Sequence, residues 1–163
     1  MKVNGFQIKQ AIREETEERD LADSRFAGSL KAFPDEDKPK PTVLAEVMDK
    51  SERRIAKLQT TQARYNLAVQ VTVEGQSMTL QEAVKALGGA ERIEKKWREA
   101  AKEETDRYGG DTRDKDSVVR TRQVSSDQCA EFARTAMRRR NAINYAISKG
   151  NAVEVDLPGD LGL

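Results

Sequence analysis

The sequence predicts a mainly α-helical fold: long antiparallel helices in a bundle, short β arms, and copies that assemble into a homo-oligomer. Three observations carry that expectation. Apolar residues recur with helical spacing over four long segments. Charged residues make up 35% of the 163-residue chain and hydrophobic ones only 37%, against about 25% charge in an ordinary soluble domain. The alternating apolar runs are few and short, too few for a large sheet. So little apolar surface suits thin helices with polar outer faces, and copies sharing a core. The whole chain, 1–163, reads as one helical domain with a Pro-rich connector at 33–41, a basic loop or strand at 109–125 and an extended tail at 151–163.

The first helix is expected from about Phe6 to Leu30. Asn4 followed by Gln7 makes a capping-box pattern, and Ile8, Ile12, Ala22, Phe26 and Leu30 fall near one face. Through the stretch REETEERD that face becomes polar, passing Glu15, Thr16 and Arg19, so the helix is exposed there or meets polar groups. FPDEDKPKP, residues 33–41, holds three prolines in nine residues and reads as an exposed connector.

The second helix, Val43 to about Leu67 with Thr42 as N-cap, has the clearest period. Leu44, Met48, Ser51, Ile55, Leu58, Gln62, Tyr65 and Val69 recur at alternating steps of four and three, a heptad seam. At ~1.5 Å per residue it is roughly 37 Å long, enough to pack along an antiparallel neighbour or another subunit. Val69, Val71 and Val73 then alternate with polar residues before a Glu74-Gly75 turn, the pattern of a strand or arm.

Thr79 and Glu82 form a capping box opening a short helix that ends at Gly88-Gly89. A further helix starts at Ala90, with Ile93, Trp97, Ala100, Ala101 and Tyr108 on one side, and ends at Gly109-Gly110. Glu91→Lys95 and Glu94→Arg98 support its exposed face. A short strand is expected near Val118–Val124. A last long helix at about 127–149, capped by Ser125, Ser126 or Asp127 and closed by Gly150, precedes a tail where Val153, Val155 and Leu157 alternate.

The composition excludes several chemistries. The chain has no histidine, which removes the commonest general base, the Ser–His and Cys–His nucleophile pairs and the usual zinc sites. The lone Cys129 lies on an apolar stripe and reads as a buried, inert thiol. Glu14, Glu15, Glu17 and Glu18 read as a solvated face, and no cofactor or metal is expected. With 29 basic and 28 acidic residues, the net charge of +1 argues against nucleic-acid binding. No apolar run reaches the ~20 residues a bilayer span needs, so the expected setting is the cytoplasm without membrane contact. No reaction is expected.

The arginines are the candidate functional groups. Three consecutive arginines, 138–140, fan over ~200° of a helix and cannot all point away from its packed face. Arg140 continues an apolar line of Cys129, Ala133, Ala136, Ile143 and Ile147, and Arg139 a neighbouring line of Phe132, Ala136 and Ile143, so at least one guanidinium needs a carboxylate, Glu15 or Glu18 for example, or an anionic ligand. Arg107, Arg113, Lys115, Arg120 and Arg122 cluster around Tyr108 in the 107–122 stretch, suited to phosphate or carboxylate with a stacking ring, though Asp111, Asp114 and Asp116 dilute the field. The candidate ligand-binding set is Tyr65, Asn66, Arg107, Tyr108, Arg113, Arg120, Arg122, Arg139 and Arg140, gathered at subunit interfaces around a small anionic, nucleotide-like ligand. The alternative is a structural or adaptor oligomer whose arginines serve only subunit pairing.

The order of the segments QARYN (62–66), TLQEAV (79–84), DRYGG (106–110), VRTRQV (119–124) and NAINYAI (141–147) resembles a small bacterial and prophage-associated family, some members of which are labelled septicolysin-like. The likeness spans roughly Gln7 to Leu157. The family usually has a shorter Ser/Glu/Lys segment where this chain carries its basic loop, and the first helix matches only in general character. The resemblance implies a mainly helical homo-oligomer and no reaction. The toxin label finds no support in the residues, which include no amphipathic or transmembrane stretch suited to lysis.

Overall fold

The computed structural model describes residues 2–102 and 123–157. Within them the chain is mainly helical: β1 (Lys2–Val3), α1 (Gly5–Ser29), α2 (Pro41–Ala68), β2 (Gln70–Val73), β3 (Gln76–Thr79), α3 (Leu80–Ala101), α4 (Ser126–Asn151) and β4 (Val155–Asp156).

The helices associate chiefly as two pairs, α1 with α2 and α3 with α4. In the first pair Glu15 meets Arg54 at 3.1 Å and Arg19 meets Glu52 at 2.9 Å, so the helices run in opposite directions. These ion pairs explain how α1 loses its apolar stripe yet keeps its neighbour: the polar stretch faces polar groups on α2. The seam of α2 points inward, with Leu44, Ser51, Ile55, Leu58 and Tyr65 buried and Thr61 added to it. Leu30, expected on the α1 stripe, is 62% exposed because it sits beyond the last helical turn as the C-cap.

Four boundaries differ from the sequence reading, the first being the end of α3, which stops at Ala101 with Lys102 in extended backbone as its C-cap rather than at Gly109-Gly110. Thr42 is not a cap: α2 starts at Pro41, whose fixed φ and missing N–H suit the first helical position, after Lys40. Gly88-Gly89 does not break the chain, and α3 runs unbroken from Leu80 to Ala101. Two glycines cost a helix about 1 kcal/mol each, less than α3 gains by burying Leu80, Ala83 and Ala90 on both sides of them. Gly150 lies inside α4. A Cβ there would be 2.7 Å from Val71 Cγ1 and 3.0 Å from Leu80 Cδ1, so the glycine admits close packing and is no helix stop.

Asn4, Thr79 and Ser125 each form a complete capping box, with Gln7, Glu82 and Gln128 respectively. The two hydrogen bonds from Thr79, through its backbone N–H and then its hydroxyl, hold the Glu82 carboxyl below its ordinary range.

The turn after β2 is the two-residue Glu74-Gly75 loop, both residues with positive φ (51° and 81°), as in a type I′ hairpin. It returns the chain as β3, antiparallel to β2, a strand the sequence reading did not anticipate. A second, separate pair is formed by β1 and β4 in the tail, antiparallel with Val3 opposite Val155.

The main core gathers where the start of α1, the end of α2, the hairpin, the start of α3 and the end of α4 converge. Val3, Ile8, Tyr65, Val71, Leu80, Ile143, Ile147 and Leu157 are all buried there. Tyr65, wholly buried, places its hydroxyl 2.7 Å from the carbonyl oxygens of Gly150 and Val153, tying α2 to the end of α4 and the tail. Gly5 makes room for it: a Cβ on Gly5 would be 2.9 Å from the Tyr65 ring and 2.3 Å from Asn151 Oδ1.

Candidate functional site: the groove between the third and fourth helices

A groove of about 620 Å³ lies between α3 and α4. Its walls follow from helical spacing. Ala86, Gly89, Ala90, Ile93 and Trp97 come round one face of α3, and Phe132, Thr135, Ala136 and Arg139 one face of α4. The Trp97 and Phe132 rings lie 4.8 Å apart at 43°, a tilted aromatic pair. Ile93 and Phe132 are about half exposed, at 52% and 47%. Gly89 contributes no Cβ, and nothing lies within 4 Å of where one would be, so the groove is open at that point.

The rim is charged. Arg138 and Arg139 border the groove together with Glu74 from the hairpin turn, whose carboxylate lies 3.7 Å from Arg139 Nε. A non-glycine residue at positive φ carries backbone strain, so Glu74 holds a conformation that asparagine or glycine would adopt more easily. The groove thus joins an apolar, aromatic floor to two guanidinium groups and one carboxylate.

Arg140 faces elsewhere. Its Nη1 forms an ion pair with Glu94 Oε2 at 2.7 Å, while Arg98 donates to Glu94 Oε1. Glu94 is only 3% exposed. The sequence reading required a partner for an arginine of the triplet. That partner is Glu94, while Glu15 serves Arg54. Glu94 was expected on the exposed face of its helix, yet α4 covers it and brings Arg140 to it.

The other sequence candidates are dispersed. Tyr65 is in the core with its hydroxyl engaged, and burial pushes its phenol above the ordinary value. Asn66 Nδ2 donates to Gln81 Oε1 at 3.4 Å, and neither residue lines the groove. Arg107, Tyr108, Arg113, Arg120 and Arg122, with the expected strand near 118–124 up to residue 122, lie outside the described residues. Of the four candidates among the described residues, Tyr65, Asn66, Arg139 and Arg140, only Arg139 lines the groove. Ile93, Trp97 and Phe132 were read only as helix-face apolar residues. The available signal was the single tryptophan one turn after an isoleucine, on a helix already rich in alanine.

Cys129 is buried, 2% exposed. Among the described residues no group of three or more His, Cys, Asp or Glu could hold a metal ion, and no helix is long and apolar enough to cross a membrane. No protein-family model matches the chain, and neither does any curated protein or solved structure.

Proposed function

We propose that this chain is a non-enzymatic, homo-oligomeric helical protein that binds a small amphiphilic anion, nucleotide-like, in the groove between α3 and α4. The observation that carries this reading is the groove itself: an aromatic and aliphatic floor of Ile93, Trp97 and Phe132 beside Arg138 and Arg139. Its volume falls in the range of ~300–1,000 Å³ usual for small-molecule sites, and such sites combine a mostly apolar lining with a few polar groups that orient the ligand. A flat ring would lie against Trp97 and Phe132, and its phosphate would take the arginine forks. Compared with the sequence expectation, the site moves from a set of arginines at subunit interfaces to one face of a single helix pair. Oligomerisation and membership of the prophage-associated family belong to the same proposal, supported by the low apolar content and by the quoted segments.

Trp97 is the only tryptophan, so its fluorescence reports the groove directly. Titration with nucleoside phosphates and cyclic dinucleotides is expected to change that fluorescence saturably, and Arg138→Ala with Arg139→Ala to abolish the change. At 100 times Kd a ligand should raise stability by about 2.7 kcal/mol. Light scattering during size-exclusion chromatography is expected to give a mass above one chain. A wild-type protein silent to every nucleotide, with an oligomer that dissociates when Phe132 is replaced by Glu, would move the groove to the adaptor reading, in which it is a subunit contact. The exposure of Ile93 and Phe132 is what favours that second reading.

A further inference from the structure

A different flank of α3 carries a second cleft, of about 370 Å³, whose described lining residues are all charged and include Arg140 of α4. At its base lies the buried Glu94. One carboxylate is paired with two guanidinium groups, Arg98 at Oε1 through a hydrogen bond and Arg140 at Oε2 as an ion pair, so the trio holds one positive charge more than it neutralises. Lys95 and Lys102 add two ammonium groups and Glu91 and Glu99 two carboxylates, leaving four cations against three anions among the described residues of the cleft. Burial fixes the centre of this arrangement. Glu94, at 3% exposure, cannot turn to water, so it holds both arginine heads in place before any ligand arrives.

We propose that this cleft is an oxyanion site, separate from the groove, that takes a phosphate-type group. The two arginines have different parts in it. Arg140 directs its Nε and Nη2 to Asn141 Oδ1 and its Nη1 to Glu94, so it contributes charge. Arg98 is 62% exposed and planar, and a guanidinium anchored by one edge keeps donors for a second acceptor. Lys102, just past the end of α3, adds a further positive charge to the cleft lining. Glu94 acts as the positioning residue, setting the Arg98 head without touching the anion.

The test uses inorganic phosphate against chloride, at constant pH and ionic strength, with melting temperature as the readout. Phosphate is expected to raise the melting temperature saturably where chloride does not. Arg98→Ala with Lys102→Ala should weaken the apparent affinity about tenfold or more, the loss of one charge-assisted hydrogen bond. Arg138→Ala with Arg139→Ala should leave it unchanged, so the failure of this site and that of the groove are read separately. Amide chemical shifts of the wild-type protein during the same titration remove any dependence on how the variants fold. Changes concentrated at 94–102 and 140 support the site. No saturable difference between phosphate and chloride, or shift changes centred elsewhere, overturns it.

Discussion

The Tyr65 hydroxyl oxygen lies 2.7 Å from the Gly150 carbonyl oxygen, which joins the last turn of α2 to the last turn of α4 across 85 residues of sequence. The same hydroxyl is 2.7 Å from the Val153 carbonyl, so one phenol serves the helix end and the tail that becomes β4. Tyr65→Phe removes the donor and keeps the ring. It is expected to cost about 1–3 kcal/mol, because buried carbonyl oxygen loses a partner. Urea denaturation measures it. The phenol's folded-state value is raised by burial above 10.0, so its contribution is present at neutral pH and lost as pH climbs past that value into the alkaline range. The wild type should therefore lose stability there more steeply than Tyr65→Phe, and parallel alkaline slopes would count against the assignment.

Glu94 should show strong coupling between its two arginines. Arg98→Ala alone is expected to cost about 1 kcal/mol or less, since Arg98 is largely exposed and Arg140 still pairs with the carboxylate. The double change Arg98→Ala with Arg140→Ala leaves a buried carboxylate uncompensated and is expected to cost roughly 3–5 kcal/mol, more than the two single changes together. A double-mutant cycle in denaturant gives the coupling directly. Additive costs would show that Glu94 finds another partner.

The two glycines inside α3 separate stability from binding. Gly88→Ala and Gly89→Ala should each stabilise the helix, by up to about 1 kcal/mol, because the nearest atom to a Cβ on Gly88 is Arg92 Nη1 at 3.6 Å and nothing lies within 4 Å at Gly89. Only Gly89 lines the groove, so only Gly89→Ala should also weaken the Trp97 response to nucleotide. Thermal melts and fluorescence titrations on the two variants make the comparison.

Glu74 holds a turn position it does not favour and pairs with Arg139 from it. Glu74→Asn should relieve backbone strain, gaining up to about 1 kcal/mol, and free Arg139 from its carboxylate. Under the groove reading, nucleotide binding should then tighten, most visibly at low salt where surface charges are least screened. Weaker binding would mean that Glu74 contacts the ligand itself.

Most of the helical architecture was legible before any coordinates. The seam of α2, from Leu44 to Tyr65, turned inward as its period required, and the capping patterns at Asn4, Thr79 and Ser125 mark where helices begin. Those signals are local: they depend on residues three or four apart. The misread boundaries share the opposite character. Gly88-Gly89 and Gly150 have the composition of helix ends, and nothing within a few residues tells a glycine that stops a helix from one that admits a neighbour's side chain. The candidate site was harder still. Arg139 was singled out from its position, as a charge continuing an apolar helix line, whereas Trp97 and Phe132 are 35 residues apart and were read only as helix-face apolar residues.

The order of residues by itself determined that this chain is helical, that helices start after Asn4 and Thr79, and that an arginine of the 138–140 triplet must find a counter-charge. Which carboxylate answers it was decided only when α3 and α4 came together, bringing Glu94 under Arg140 and leaving Trp97 beside Phe132 over an unfilled groove. The reason is physical. Helix propensity, capping and period act through neighbours along the chain, but burial and charge pairing depend on which faces meet across space.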